Sequence, residues 1–288
     1  MKSSWMLVAA ALFALMGVLV KHASARFSPA ELVFYRSVFG LVVIWAVIAL
    51  RQRQPLAPLA TPHGWSHLWR GVSGFTALVL FFYAIANLPL ATAVTLNYTA
   101  PLFLAALSVG WLREQHGRGL LAAVALGFAG IVLLLRPQLQ DQAWLPALAG
   151  LVSGMLAAVA YVNVKQLGKL GEPEWRVVFY FTLLATLGGG IWMLLSGFHR
   201  PQAADWPWLI GIGVTATLAQ LALTRAYHRG RTLIVGALAY TTVAFSAIYG
   251  VLFFDEHLPA LAWLGMATVA AAGILAVRVS ATPRNDLL

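Results

Sequence analysis

A single arginine inside an apolar stretch is the first candidate for chemistry in this sequence. Arg36 lies about two turns into the apolar run from Ala30 to Leu50. A charge at that depth in a membrane costs roughly 2.5–3.5 kcal/mol even on lenient insertion scales, so it needs a partner. Glu31, five residues earlier, is not well aligned with it. Two roles stay open: Arg36 ties helices together through backbone or tyrosine oxygens, or its planar fork binds a substrate carboxylate or phosphate.

Carboxylates are missing from the central part of every apolar run. Glu31 and Glu114 stand at the ends of runs, and Asp255 and Glu256 follow another one. An exporter that exchanges a cation for protons normally needs a buried carboxylate for both tasks, so this mechanism is disfavoured. Lys21, at the end of the first run, is expected to extend to the membrane interface rather than to bind a ligand.

Neutral polar side chains inside the apolar runs mark a second set of candidates. An unpaired amide or hydroxyl in hydrocarbon costs several kcal/mol, so each must face a partner helix or a wet cavity. Helix-to-helix bonding would account for part of the set. The residues predicted to line a substrate cavity together with Arg36 are Tyr83, Thr95, Tyr98, Tyr161, Asn163, Gln220, Tyr240 and Thr241.

Several classes of function are excluded by residue type and position. The chain has no cysteine, and its seven histidines lie near the ends of apolar runs or between them. Neither a metal-ligand spacing nor a plausible hydrolytic triad is present, so we expect no enzyme activity, metal or cofactor. The net charge of +10 is spread singly or in pairs between apolar runs. This spread argues against nucleic-acid binding, which needs a basic face interleaved with aromatic residues.

The elements that position these residues must be transmembrane helices. Apolar residues make up 61% of the chain and charged residues only 10%, whereas soluble domains carry about 25% charged residues. Runs of about 20 apolar residues, the length that crosses a bilayer, recur throughout. The predicted spans are Trp5 to Lys21, Ala30 to Leu50, Leu68 to Asn87, Ala91 to Leu112, Leu120 to Leu135, Leu145 to Leu167, Trp175 to Leu195, Trp208 to His228, Leu233 to Phe253 and Leu261 to Val279.

The distribution of lysine and arginine predicts the orientation in the membrane. If both termini are cytoplasmic, the inside segments hold most of the cations, as the positive-inside rule requires. The outside segments then hold only Lys21, Arg26, Arg136 and Arg200.

The start of the chain imitates a signal peptide, with Ala23-Ser24-Ala25 as a cleavage-like site. Its removal would leave an odd set of spans, so we interpret it as a retained first helix in the bacterial inner (plasma) membrane.

An internal repeat relates the two halves of the chain. A shift of 142 positions places Tyr98-Thr99 on Tyr240-Thr241 and Glu114 on Glu256 without a gap. The predicted domains are residues 1–140 and residues 141–288, each a five-helix repeat. Because each half holds an odd number of spans, the second copy must enter the membrane upside down. Inverted repeats of this kind are typical of secondary transporters, although shared ancestry retained only for packing is the alternative.

The repeated motifs resemble a known family. Phe34-Tyr35-Arg36, Pro101, Glu114 and Gly127-x-x-Gly130 resemble the first EamA repeat of the drug/metabolite transporter superfamily, and Asp255-Glu256 with Gly265 and Gly273 is similar to the second. The resemblance implies a ten-helix carrier of small metabolites such as amino acids, nucleotide-sugar relatives, riboflavin or metallophores. In the second half, Val243 replaces the proline equivalent to Pro101, and Phe181 stands near the position equivalent to Arg36.

The sequence therefore predicts an all-α membrane protein with ten transmembrane helices in two inverted five-helix repeats around one central pocket. The predicted function is export of an anionic or zwitterionic, amino-acid-like metabolite by alternating access. Two alternatives stay open: an uptake carrier for a vitamin or nucleoside-like solute, and a non-transporting membrane scaffold or enzyme. The expected partners are a small-molecule substrate and the lipid bilayer, with a homodimer left open and no nucleic acid.

Overall fold

The computed structural model of the chain describes residues 5–52, 60–100, 102–103, 118–140, 143–229 and 238–280. These residues form ten helices: α1 (Trp5–Ala23), α2 (Pro29–Gln52), α3 (Gly64–Asn87), α4 (Leu90–Asn97), α5 (Arg118–Gln140), α6 (Trp144–Lys169), α7 (Glu174–Ser196), α8 (Trp206–Arg229), α9 (Thr241–Phe254) and α10 (Ala260–Ser280). No strand occurs in these ranges. Glu114 and Pro101 lie outside the described residues.

Six segments of the described chain are long and apolar enough to cross a membrane. They belong to α1, α2, α3, α6, α7 and α8, and they match six of the predicted spans. The predicted fourth span, from Ala91 to Leu112, is not one continuous helix, because α4 ends at Asn97. In the predicted ninth span the described helix α9 begins only at Thr241.

The surface of the bundle is apolar, as a bilayer requires. Leu194 and Leu195 are 79% and 83% exposed, and Trp65, near the start of α3, is 69% exposed. A contiguous apolar surface of this kind would drive association in water but is satisfied by lipid. Tryptophan is enriched where membrane meets water, and further exposed tryptophans near helix ends are Trp5, Trp69, Trp144, Trp206 and Trp208.

A reciprocal cap fixes the start of α2. The Ser28 hydroxyl accepts a hydrogen bond from the Glu31 N–H at 3.3 Å, and the Glu31 carboxylate accepts one from the Ser28 N–H at 2.6 Å. This arrangement is a capping box, and Pro29 occupies the first helical position, where no N–H is needed. The second carboxylate oxygen of Glu31 accepts the His199 N–H at 2.6 Å. Glu31 is thus committed to the beginning of the helix, and Arg36 must find its partner elsewhere.

The helices pack mainly across the two halves of the chain. Extensive contacts join α1 to α8, α3 to α6, α2 to α7 and α5 to α10, with a smaller contact between α4 and α9. Glycines allow the closest approaches: Gly189 of α7 faces the backbone of Phe34, and Gly188 faces the ring of Phe75. Gly188 and Gly189 thus permit close helix packing of α7.

Connections predicted to share a membrane side meet at the same end of the bundle. At what we call the Lys21 end, Lys21 in the last turn of α1 contacts Glu256 after α9, and Arg26 contacts Asp205 before α8. At the opposite end, the Glu172 end, Thr61 before α3 contacts Glu172 between α6 and α7.

Candidate substrate site

Two helix interruptions, one in each half, lie at the centre of the bundle. Helix α4 ends at Asn97, and Tyr98 and Thr99 form a turn before helical structure resumes. Pro101 cannot donate to the Asn97 carbonyl, and its ring clashes with that carbonyl in a regular helix, which explains the break. In the second half, Tyr240 forms a turn immediately before α9. Both interruptions fall on the repeated Leu-x-Tyr-Thr sequence.

The two interruptions contact each other. The rings of Tyr98 and Tyr240 lie 6.4 Å apart between centroids. The Thr242 hydroxyl, in the first turn of α9, contacts both the Tyr98 phenol oxygen at 3.0 Å and the Ala239 carbonyl at 2.8 Å. The structure therefore brings Tyr98 and Tyr240 together, although they are distant in sequence.

Helix α6 closes over the first interruption through small residues. Gly150 lies against Leu96, and a Cβ added at Gly154 would lie 2.5 Å from the Thr99 hydroxyl and 2.7 Å from the Leu96 carbonyl. The Asn97 amide donates to the Ser153 hydroxyl at 3.0 Å. Gly150 and Gly154 therefore allow α6 to pack directly against the break.

Arg36 has no partner for its innermost nitrogen. The residue is 8% exposed, and no hydrogen-bond acceptor in the described part of the chain reaches its Nε. Glu31 is occupied by Ser28 and His199. The helix-tying role considered from the sequence required carbonyl or tyrosine oxygens around this guanidinium. The described residues supply none to Nε, which favours a role in ligand binding.

Arg70 is a second arginine inside a helix, and although the residue is partly exposed, two of its guanidinium nitrogens are buried. Helix α3 begins at Gly64, four residues earlier than predicted, so Arg70 lies nearly two turns inside it. Its Nε and Nη1 are buried and reach no acceptor among the described residues. The guanidinium carbon sits 4.3 Å from the centre of the Phe181 ring. The sequence carries one signal for the depth of Arg70: this residue follows Trp65 and Trp69, which are typical of the membrane interface.

The helices that carry the two guanidiniums, α2 and α3, contact each other, and both contact α7. Arg36 enters from the Lys21 end and Arg70 from the Glu172 end, each roughly 10 Å along its helix at 1.5 Å per residue. Tyr161 belongs to α6, which packs against α3, the helix that carries Arg70. It continues the stripe of Gly150 and Gly154, which faces the interior, yet it is 51% exposed. Open space therefore reaches the interior stripe of α6 near Arg70.

The other predicted cavity residues are distributed over different faces. Tyr83 is partly exposed and shares a stripe of α3 with exposed Val72 and Thr76. Asn163 is partly exposed, on the opposite side of α6 from Tyr161. Gln220 continues the stripe of Gly213 and Thr217, and Gly213 packs against Phe39 of α2. Of these three, Gln220 is thus on a face of α8 that meets the helix carrying Arg36.

The predicted threonines bond within their own helices. The Thr95 hydroxyl donates to the Ala91 carbonyl at 2.7 Å, and the Thr241 hydroxyl donates to the Leu238 carbonyl at 2.6 Å. Thr95 is fully buried and Thr241 partly buried. Each hydroxyl already donates its proton to a backbone carbonyl, so a ligand could contact these residues only through the hydroxyl oxygen as an acceptor.

An ion pair closes the Lys21 end, at the start of α4 and after the end of α9. The Lys21 ammonium donates to the Glu256 carboxylate and, at 2.7 Å, to the Leu88 carbonyl. The same carboxylate accepts the Leu90 N–H at 2.8 and 3.0 Å, which caps the start of α4. Lys21 is therefore held by Glu256 and by the chain just before α4, a partnership that the sequence analysis did not predict.

At the Glu172 end, Glu172 gathers polar groups from three segments. Its carboxylate accepts from the Thr61 hydroxyl and from Arg176 Nη1 at 2.9 Å, and His67 Nε2 lies 3.4 Å away. Burial acts to raise the pKa of Glu172, but the hydrogen bonds from Thr61 and Arg176 outweigh it and hold the pKa below its ordinary value. The carboxylate is therefore ionised at neutral pH.

Two surface cavities lie away from these groups. One, of about 290 Å³, is lined by exposed apolar residues of α7 such as Leu195, and the other, of about 250 Å³, lies against Trp45 of α2. Both face the lipid. Within the described ranges, no group of three or more His, Asp or Glu side chains could hold a metal ion.

Known proteins resemble this chain over almost its whole length. The EamA-like transporter family matches twice, at residues 2–136 and 144–278. The pseudopaline exporter CntI of Pseudomonas aeruginosa is 35% identical over 254 residues, which cover 88% of this chain and 87% of that protein. A riboflavin transporter of Vibrio cholerae is 29% identical over 270 residues, covering 92% and 89%. A crystal structure with 18% identity, covering 98% of this chain and all of its own, superposes with a TM-score of 0.67 and shows the same fold.

These relatives are transporters, not enzymes, and the double match covers nearly every residue of both halves. The chain is a multi-pass membrane protein with a small-molecule substrate. It belongs to the EamA-like transporter family of the drug/metabolite transporters.

Proposed function

We propose that this protein exports a small anionic or zwitterionic, amino-acid-like metabolite across the bacterial inner membrane by alternating access. The observation that carries the proposal is the Arg36 guanidinium, buried within α2 with its Nε lacking an acceptor in the described chain. A buried charge persists only where something neutralises it, and a bound carboxylate does so through two parallel hydrogen bonds.

The direction of transport is supported by one comparison. The exporter is 35% identical to this chain, whereas the riboflavin transporter of Vibrio cholerae is 29% identical. Uptake of a vitamin-like solute is the second candidate, favoured by that same riboflavin transporter. The site itself supports an anion more directly, because riboflavin has no carboxylate for Arg36 to bind.

Two inverted five-helix repeats, residues 1–140 and 141–288, are part of the proposal. The contacts between helices support this part of the proposal. The repeat relates α1 to α6 and α3 to α8. The contact between α1 and α8 in the structure therefore corresponds to the contact between α6 and α3. The interruptions at Tyr98 and Tyr240 obey the same relation. Interrupted helices at repeat interfaces are where many secondary transporters bind their substrates.

Both termini are proposed to face the cytoplasm, which places the Glu172 end inside and the Lys21 end outside. The cation bias along the chain supports this orientation. The Lys21–Glu256 pair closes the outer end, while the exposed Tyr161 marks open space on the interior stripe of α6. The conformation is then one that admits substrate from the cytoplasm, as an exporter requires. A homodimer remains open.

Counterflow into liposomes tests the proposal. Purified protein is reconstituted with an unlabelled candidate solute inside, and accumulation of the labelled solute is followed for an acidic amino acid and for riboflavin. We expect accumulation of the anionic solute and its loss in Arg36→Gln. Accumulation of riboflavin alone, unchanged in Arg36→Gln, would replace the proposal with the vitamin carrier.

A further inference from the structure

We propose that the site binds a substrate with two separate acid groups, one held by Arg36 and the other by Arg70. This inference rests on the proposed function and adds a second anchoring residue and a charge requirement to it. It therefore distinguishes a dicarboxylate-like substrate from a simple amino acid, whose single carboxylate could neutralise only one guanidinium.

The first support is that two cations without a protein partner lie on helices that contact each other. The helices α2 and α3 pack together and both pack against α7, and the described chain offers no acceptor to Arg36 Nε, Arg70 Nε or Arg70 Nη1. A protein gains nothing from such a pair unless a further group supplies the opposite charge. The carboxylates nearest to these helices are engaged elsewhere, Glu31 with Ser28 and His199, and Glu172 with Thr61 and Arg176.

The second support is that the fold is shaped to hold Arg70 in this position. A Cβ added at Gly74 would lie 2.2 Å from Arg70 Nη1 and 2.9 Å from the Phe181 ring, so only glycine leaves room for the guanidinium there. The Phe181 face carries the cation at 4.3 Å. A cation–π contact orients a guanidinium without neutralising it, which leaves its edge free to bind an anion.

The third support is the position of Phe181 in the repeat. It stands near the place in the second half that corresponds to Arg36. The first half supplies both arginines, and the second half supplies the aromatic platform in place of a third cation. The two acid groups are then bound toward opposite ends of the site, because Arg36 enters from the Lys21 end and Arg70 from the Glu172 end.

The test uses the purified full-length protein in detergent, with its melting temperature as readout. The probes are glutarate, adipate and suberate, which carry two carboxylates at increasing separation, valerate, which carries one, and inorganic phosphate. Ionic strength is held constant with chloride. The variants are Arg36→Met, Arg70→Met and the exposed control Arg200→Met. We expect at least one dicarboxylate to stabilise wild type and Arg200→Met, and valerate to do so much less.

Each single arginine variant should then lose roughly ten- to hundred-fold in dicarboxylate affinity, the range expected for a charge-assisted contact. Without any probe, the same variants should melt at the same temperature as wild type or higher, because one of two cations that lack a partner in the described chain is gone. A structural role for either arginine predicts the reverse, namely a lower melting temperature.

Three results would overturn the inference. Equal stabilisation by valerate and the dicarboxylates, lost only in Arg36→Met, leaves the proposed anionic site intact and removes the second anchor. Phosphate that matches the best dicarboxylate and needs both arginines means that they clamp a single acid group. No response to any acid, with a lowered melting temperature in both variants, removes the proposed anionic site as well.

Discussion

The Thr242 hydroxyl lies 3.0 Å from the Tyr98 phenol oxygen and so links the helix interruptions of the two halves. Thr242 belongs to the first turn of α9, while Tyr98 follows the last residue of α4. Because each interruption belongs to a different half, any movement of the halves against each other must break or remake this contact. We therefore expect this contact to change first when access to the substrate site switches from one side of the membrane to the other.

Cysteine substitution tests whether Tyr98 and Tyr240 line the substrate pathway. The chain has no native cysteine, so single Tyr98→Cys and Tyr240→Cys variants can be labelled cleanly. We expect both to react with a small, polar, thiol-specific reagent and substrate to protect both, because the two rings meet at the interruptions. Ala93→Cys, at a fully buried position, should not react. Reaction of either tyrosine position only with lipid-soluble reagents would remove that residue from the pathway.

Arg36 should bind through the geometry of its guanidinium and not only through its charge. Arg36→Lys keeps the charge but loses the planar fork, so we expect affinity for an anionic substrate to fall about ten-fold or more, and further in Arg36→Gln. Binding is measured by calorimetry on protein shown to be folded, with the exposed Arg200→Lys as control. Equal binding by wild type, Arg36→Lys and Arg36→Gln would make Arg36 structural.

The pair between Lys21 and Glu256 should matter much more than the exposed pair nearby. Glu256→Gln leaves the partly buried Lys21 ammonium without its counter-charge and weakens the cap on α4, so we expect a loss on the order of 3 kcal/mol. Arg26→Gln breaks a pair whose arginine side chain is 37% exposed, and it should cost less than about 1 kcal/mol. Chemical denaturation in mild detergent compares them. Similar losses in both variants would contradict the role assigned to Glu256.

Protonation of Glu172 should lower the stability of the folded protein at acidic pH. Because the folded protein holds the pKa of this carboxyl below its ordinary value, its contribution is present above the unfolded pKa, about 4.3, and disappears as the pH falls through the folded pKa. Melting temperatures of wild type and Glu172→Gln, measured from pH 7 to pH 3, should therefore converge at the acidic end. Parallel curves over this range would mean that another group is responsible for the acid sensitivity.

The approach of α6 to the first interruption should tolerate no side chain at Gly154. A Cβ there would lie 2.7 Å from the Leu96 carbonyl, a backbone atom that cannot move alone, so Gly154→Ala should cost about 1–3 kcal/mol. Gly168 lies in the same helix with nothing within 4 Å of an added Cβ. Gly168→Ala should be neutral or stabilise the helix by up to about 1 kcal/mol. Equal melting temperatures for the two variants would show that α6 does not hold the break.

Much of the fold could be predicted from the sequence because hydrophobic length is a strong signal. Six spans were confirmed, and the repeated Leu-x-Tyr-Thr marked the place where the structure interrupts both helices. The interruptions themselves were not predicted: α4 and the following residues are apolar enough to suggest one continuous span. Pro101 was noted as a family feature and not as a helix breaker.

The candidate site was harder to predict because side-chain partners come from distant segments. The lack of a local acceptor for Arg36 was recognised, since no carboxylate is near it in sequence. Arg70 was missed because its depth depends on where α3 begins, and a difference of four residues moves it from the margin to the interior. The partnership of Lys21 with Glu256 spans 235 positions, which no local pattern could indicate.

The paired arginines also bear on what drives transport. An anion that leaves Arg36 and Arg70 toward the outside of a cell moves from a negative to a positive electrical potential. That step releases about 2.3 kcal/mol per charge for every 100 mV, and a substrate with two acid groups gains about twice as much. Such an exporter needs no proton or sodium to power it, which agrees with spans that carry no central carboxylate. On this view membrane voltage is the energy source, and transport should respond to an imposed potential even without an ion gradient.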